Sequence, residues 1–240
     1  MYGNQGSIGL LVPSVNTVVE PEFNAAVPEG YAVHAARMRN TTADLEDAVA
    51  MLSHVERASD ELGSANVDVV VFACTSSSFV QGTDGESRLS RTIEQSSRTR
   101  AVTTSNAVRQ ALLSLNARRI SMVTPYTADI NALEVDFLGA AGITVESEAG
   151  MGVVDAYSIA KVDPEFTYRE ALLTVDPACD VMFLSCTNLK TFEILDDLER
   201  KIGVPVVSSN SASLWAALGA LEVDYAIPGL GVLLGAPATV

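Results

Sequence analysis

The stretch Asp68-Val-Val-Val-Phe-Ala-Cys74-Thr-Ser returns 112 residues later as Asp180-Val-Met-Phe-Leu-Ser-Cys186-Thr-Asn. Each copy is an aspartate, an apolar run, a small residue, a cysteine and a threonine. The same offset carries Ile8-Gly-Leu-Leu-Val-Pro13 onto Ile120-Ser-Met-Val-Thr-Pro125. A third pair, Thr103-Thr-Ser-Asn106 and Val207-Ser-Ser-Asn210, recurs at an offset of 104, each leading into an apolar helical pattern. Three pairs in one order indicate an internal duplication.

Working outward, 8–12 is a compact apolar run ended by Pro13, suited to a strand buried on both faces. Further strands are predicted over 31–36, 67–72, 101–103, 120–124, 143–148, 181–184 and 203–207. Helical patterns fall between them. The first runs over 43–62 with Thr41 or Thr42 as its cap and Leu45, Ala48, Val49, Leu52 and Val55 as its apolar stripe. Others are expected over 88–95, 105–115, 129–140, 164–174 (with Pro164 in its first turn) and 191–201, and from Ser209 or Asn210 through Leu218. Ser14 to Glu22 carries a cluster of small polar residues, with Asn16 and Thr17 close behind the strand end; Val80 to Glu86 and 150–161 read as loops, and the tail from Asp224 is expected to return to the first half.

Strands alternating with helices of this length predict an α/β protein of two similar, pseudo-symmetric lobes with mostly parallel sheets flanked by helices. The expected division is 1–116 with 212–240, carrying Cys74, and 117–211, carrying Cys186. Sites in such sheets open beyond the carboxyl ends of the strands. Pro13, Cys74, Pro125 and Cys186 all fall there, so a pseudo-two-fold axis would turn both cysteines toward one cleft.

Composition limits the function. With 15 Lys and Arg against 30 Asp and Glu, the formal charge is −15 and the pI about 4.4. Backbone binding to nucleic acid needs dense positive charge, so no such partner is expected. A small anion would need a local set of amide and hydroxyl donors. No apolar run approaches the roughly 20 residues of a membrane span. The opening residues have no basic region before an apolar stretch, so a cytoplasmic location is expected. Three cysteines without framework spacing, and two histidines (His34 and His54) without ligand spacing, predict neither disulfides nor a metal site.

Two cysteines facing one cleft allow two reactions. One thiolate can remove an α-proton while the opposite thiol returns one from the other face. Alternatively, one thiolate adds to an activated double bond, the adduct rotates, and elimination gives the other geometric isomer. Neither requires a metal or an organic cofactor, and both need donors that absorb developing charge. No histidine stands in either motif to form a hydrolytic Cys-His pair. Candidate substrate-binding groups are Asn16 behind the first strand, Tyr126 at the matching place in the second half, and Thr75, Ser76, Thr187 and Asn188 beside the cysteines. Each has an ordinary alternative as a turn or packing residue, and free cysteines are commonly just buried.

The opening Gly9-Leu-Leu-Val-Pro-Ser-Val-Asn16-Thr-Val-Val-Glu-Pro-Glu22 resembles the maleate cis-trans isomerase branch of the aspartate/glutamate racemase superfamily. So do Phe72-Ala-Cys74-Thr-Ser, Thr124-Pro-Tyr126, Ser185-Cys186-Thr187-Asn188, and Ser208-Ser-Asn210 followed by Leu214-Trp215. The resemblance implies two four-stranded parallel lobes, a homodimer, and a small dicarboxylate substrate. It further implies Cys74 as the nucleophile toward maleate, Cys186 as the opposing acid/base, carboxylate-holding roles for Asn16 and Tyr126, and fumarate as the product. One segment departs from it. Where relatives often place an asparagine, this chain has Gly152-Val-Val-Asp155-Ala156. Asp155 facing the site would repel a dicarboxylate unless protonated, and Ala156 there would remove one clamp. A racemase, an arylmalonate-type decarboxylase and a non-enzymatic small-anion binding protein remain as alternatives.

Overall fold

In the computed structural model, which describes residues 3–42, 44–223 and 226–235, the apolar runs form two parallel sheets. The first joins β1 (Gly6–Pro13), β2 (Tyr31–Met38), β3 (Val69–Phe72) and β4 (Arg100–Thr103) in the order β2-β1-β3-β4. The second joins β5 (Arg119–Thr124), β6 (Thr144–Gly150), β7 (Val181–Leu184) and β8 (Val206–Ser208) in the order β6-β5-β7-β8. The two orders are the same.

Register makes the duplication concrete. β1 pairs with β3 from Ile8↔Val69 to Leu11↔Phe72, and β5 pairs with β7 from Ile120↔Val181 to Val123↔Leu184, each partner displaced by 112. The repeated aspartates anchor the feet of these strands. Asp68 Oδ2 accepts the N–H of Ser7 at 2.8 Å, and Asp180 Oδ2 accepts those of Arg118 and Arg119 at 2.8 Å. The third sequence pair needs a correction. Phe72 stands beside Thr103 and Leu184 beside Ser208, so the structural offset there is 105 rather than 104. Composition, not position, made Asn106 look like Asn210.

The central strands are enclosed because their side chains are apolar on both faces. Val69 to Phe72 and Val181 to Leu184 are fully buried, each large side chain contributing about 1.5–3 kcal/mol. Around the sheets lie α1 (Val19–Ala26), α2 (Leu45–Ala50), a 3₁₀ turn (Met51–His54), α3 (Val55–Ser64), α4 (Thr75–Phe79) and α5 (Gly82–Ser97). They are followed by α6 (Thr104–Ser114), α7 (Ala128–Gly139), α8 (Ala156–Ile159), α9 (Pro164–Thr174), α10 (Leu195–Ile202), α11 (Ser209–Ala220) and α12 (Gly231–Gly235). α6 and α11 pack on each other, and α11 also lies on β3 and β4, so the two halves share these helices. Among the described residues no helix is long and apolar enough to cross a membrane.

Several expectations are corrected. The single helix over 43–62 is broken into α2, the 3₁₀ turn and α3; Ala43, its expected start, lies outside the described residues. Asp44, not Thr41 or Thr42, caps it by accepting the N–H of Asp47. The two threonines donate to the Asp47 carboxylate instead. Val80 to Glu86 is not a loop. Gly82, at φ +67°, turns the chain out of α4 directly into α5, a conformation open to glycine at little cost. The Ser14-to-Glu22 cluster contains the start of α1, and α10 begins four residues later than expected. Of the tail, Asp224 and Tyr225 lie outside the described residues. Beyond them α12 stays on the second sheet, packed on β8, α10 and α11. The Glu199 carboxylate accepts the N–H groups of Val232 and Val206, both at 2.9 Å, and holds it there.

Candidate active site

Both cysteine motifs leave their strands in the same way. Ala73 N–H donates to the carbonyl of Leu11, and Ser185 N–H to that of Val123, each at 2.9 Å. After that they differ. Cys74 is extended (φ −147°, ψ 113°) at the N-cap of α4. Cys186 stands at φ +102°, a conformation that costs a residue with a Cβ on the order of 1–3 kcal/mol. A turn follows it, and the N–H of Asn188 lies 3.4 Å from its sulfur.

Long-range hydrogen bonds join the two exits. Thr75 Oγ1 donates to Ser209 Oγ at 2.9 Å, and the N–H of Cys186 donates to the same oxygen at 3.0 Å. Thr187 Oγ1 donates to the carbonyl of Ala73 at 2.9 Å and accepts from Asn16 Nδ2 at 3.0 Å. Asn188 Oδ1 accepts the N–H of Thr17 at 3.0 Å, while its Nδ2 donates to the carbonyl of Ala156 at 2.9 Å. Each bond contributes only about 0.5–1.5 kcal/mol net. Together they hold two thiols from opposite halves at one cleft.

That cleft is lined by Asn16, Cys74, Thr75, Ser76, Ser77, Tyr126, Cys186, Thr187 and Asn188, with Pro13, Val15, Ala48, Ala156 and Ile159 as its apolar part. Asn40, Thr42 and Asp44 also line it. The space open to the centres of water molecules is ≈ 40 Å³, three or four water positions at roughly 10–15 Å³ each. Among the described residues no lysine or arginine lines it. An anion here meets neutral donors only.

Burial dominates the electrostatics. It pushes the Cys186 thiol up to about 12; hydrogen bonds from Tyr126 and the Asn188 amide oppose that rise. The Cys74 thiol is also raised by burial, and is pulled back by the hydroxyl and amide of Ser77 and by Ser76, whose Oγ lies 3.8 Å from its sulfur. Cys74 remains partly open to solvent, whereas Cys186 is 7% exposed. Tyr126, 3% exposed, is held well above the ordinary phenol range by burial and by the neighbouring Cys186, Glu134 and Cys74.

Of the residues predicted for catalysis and binding, Cys74, Cys186, Asn16, Tyr126, Thr75, Ser76, Thr187 and Asn188 line one cavity, and Asn188 spends both ends of its amide on the protein. Asn16 keeps one amide hydrogen free, its oxygen being taken by the N–H groups of Val18 and Val19. Asp155 is corrected. It caps α8 at the exposed surface, accepting from Tyr157 N–H and Ser158 Oγ, and Ala156 takes the place in the cleft. Among the described residues no cluster of three His, Cys, Asp or Glu could hold a metal ion.

Sequence reasoning missed Ser77, Ser209, Asn210 and two carboxyls. Asn210 Nδ2 donates to Glu22 Oε2 at 2.5 Å and to the carbonyl of Thr187 at 3.1 Å. Glu22 also accepts the N–H groups of Thr191 and Phe192, tying α1 to the loop beyond Cys186. Glu134, on α7, accepts Ser185 Oγ at 2.7 and 2.9 Å. The signal for this pair was present: Glu22 and Glu134 are themselves 112 residues apart.

Two repeated parallel sheets with a thiol from each at a shared cleft define the aspartate/glutamate racemase-like fold. Within it, the chain belongs to the arylmalonate decarboxylase family, which matches residues 8–234. A maleate isomerase of Pseudomonas putida is 29% identical over 95% of this chain and 96% of its own length. The structure of a P. putida maleate isomerase variant with maleate superposes with a TM-score of 0.91 at 27% identity, covering 97% of this chain and 98% of the other. A Nocardia farcinica maleate cis-trans isomerase variant, carrying a covalently bound succinylcysteine intermediate, superposes at 0.90 with 26% identity over 96% and 98% of the two chains.

Proposed function

We propose that this protein is a maleate isomerase that interconverts maleate and fumarate without a cofactor. The observation that carries the reading is the pair of thiols in one small cleft, unequal in exposure and surroundings. Cys74, partly open and approached by Ser76 and Ser77, is the nucleophile. Its thiolate adds to one alkene carbon, and the π pair moves to the other carbon as the S–C bond forms. Cys186, buried beside Tyr126, gives that carbanion a proton. The product is a succinyl thioether whose central bond is single and free to turn. Removal of the same proton by the Cys186 thiolate restores the double bond and expels Cys74 sulfur, now in the trans geometry.

Neutral donors suit both ends of the substrate. The spare amide hydrogen of Asn16 and Ser76 Oγ are available to a carboxylate. The family resemblance also supports a homodimer, which light scattering would read directly.

The test is intact-protein mass spectrometry after brief exposure to maleate, with fumarate followed by NMR. A substrate-mass adduct is expected to accumulate on Cys186→Ala and to be absent from Cys74→Ala. No adduct and no fumarate with reduced natural protein would reject maleate. The family match to decarboxylases keeps proton transfer at an α-carbon as the second reading. Deuterium appearing at that carbon of a racemisable acid in heavy water, without turnover of maleate, would favour it.

A further inference from the structure

Glu134 is 2% exposed, and none of the ion pairs among the described residues includes it. Among the described residues its carboxyl has one hydrogen-bond partner, Ser185 Oγ, on the residue immediately before Cys186. The matching position in the first motif is Ala73, which has no hydroxyl to offer. Glu22, the matching carboxyl, is turned instead toward Thr191, Phe192 and Asn210. The carboxyl-hydroxyl pair therefore stands behind the second cysteine alone. A buried carboxyl without a cation is costly when ionised, and an amide or aliphatic group would fill the same space more cheaply.

The ionisable groups around it are few. Tyr126 and Cys186 both feel its charge, and Glu148 on β6 feeds back on it. α4, which packs on α7, carries no charged side chain. On α5, which also packs there, Asp84, Arg88, Arg91 and Glu94 are exposed, and Glu86 accepts Thr103 Oγ1. On α7 itself Asp129 and Asp136 are exposed. Among the described residues no ion pair supplies a compensating positive charge.

Resting on the isomerase reading, we propose that Glu134 is a positioning residue that must stay protonated for turnover, and that its ionisation sets the alkaline limit of the reaction. The neutral acid leaves Cys186 able to give up its proton and leaves the cleft open to a dianion. Its carboxylate opposes both, because a negative charge beside Cys186 and Tyr126 makes each a weaker acid and repels the substrate. Burial raises this carboxyl to about 8, with Ser185 pulling it down.

The experiment is a pH profile of kcat and kcat/KM with maleate for the natural chain, Glu134→Gln and Ser185→Ala, joined to infrared spectra of each. The natural enzyme is expected to lose ~tenfold per pH unit above about 8. Glu134→Gln should lose that limb. Ser185→Ala, which removes the bond favouring the carboxylate, should carry it to higher pH. A protonated-carboxyl stretch that fades over the same range and is missing from Glu134→Gln ties the limb to this residue without relying on activity. An alkaline limb unmoved in both variants, or no titrating buried carboxyl in the spectrum, overturns the proposal while leaving the isomerase reading in place. No turnover of maleate by the natural chain at any pH overturns that reading, and this proposal with it.

Discussion

Cys74 stands extended at the head of a helix, partly exposed, with Ser76 and Ser77 around its sulfur. Cys186, 112 residues on, stands at φ +102° before a turn, buried, with Tyr126 and the Asn188 amide around its own. Their strands, registers and exits match. The difference lies in single substitutions at matched positions. Ser77 in the first motif is Leu189 in the second, which packs in the core, so one thiol has an extra donor and the other an apolar neighbour. Ala73 is Ser185, so a buried acid stands behind only one of them. A duplicated fold supplies two equal thiols, and a handful of changed neighbours makes them unequal in exposure and surroundings.

The sharpest way to break this comparison is to remove each sulfur. Cys74→Ala should lower turnover by at least ~10⁴-fold, about 5.5 kcal/mol of barrier. An adduct on Cys74→Ala instead of Cys186→Ala would reverse the assignment.

Stability against pH comes next in size. Glu134 and Glu22 are raised from 4.5 to about 8 and about 7. Desolvation is the main cause in both. The folded chain thus holds these protons more tightly than the unfolded chain. The associated stability is complete below about 4.5 and is lost as pH rises through 7 and 8. For Glu134 the loss, spread over the whole range from 4.5 to about 8, is on the order of 5 kcal/mol. Urea unfolding at pH 6 and pH 9 should show a smaller decline for Glu134→Gln than for the natural chain; equal declines would mean the carboxyl is not buried as described.

Tyr126→Phe removes the hydroxyl at Cys186 and should cost about 10²-fold in kcat, with KM changed little. A loss confined to KM would make Tyr126 a binding group without influence on the thiol. The smallest test separates the backbones. Glycine should be about 1 kcal/mol more stable than alanine at Cys186, where φ is positive, and less stable than alanine at Cys74, where it is not. The same sign at both sites would remove strain from the comparison.

Much of this was legible in the sequence. The strands could be read because each is a short run buried on both faces and ended by Pro, Cys or a polar cluster. The paired cysteines could be read because duplication preserved their spacing. α4 and the start of α5 could not, since Ser-Ser-Ser-Phe and Gln-Gly-Thr-Asp-Gly have loop composition and are helical only through their packing on α6 and α7. Asp155 was misplaced because a helix cap and a cleft carboxylate look alike in sequence. Ser209 was hidden for a different reason: its meaning depends on Thr75, 134 residues away.

Ser209 has one more consequence, for the order of events in the cell. Ribosomal synthesis delivers Cys74 early and Cys186 late, but the hydroxyl that meets both their motifs arrives later still, at the head of α11. Asn210, beside it, is what Glu22 has waited 188 residues to bind. A nascent chain that has passed Cys186 but not reached Ser209 holds both thiols and lacks these bonds. Contacts of such long span close slowly, so these bonds form only once α11 has followed both cysteines out.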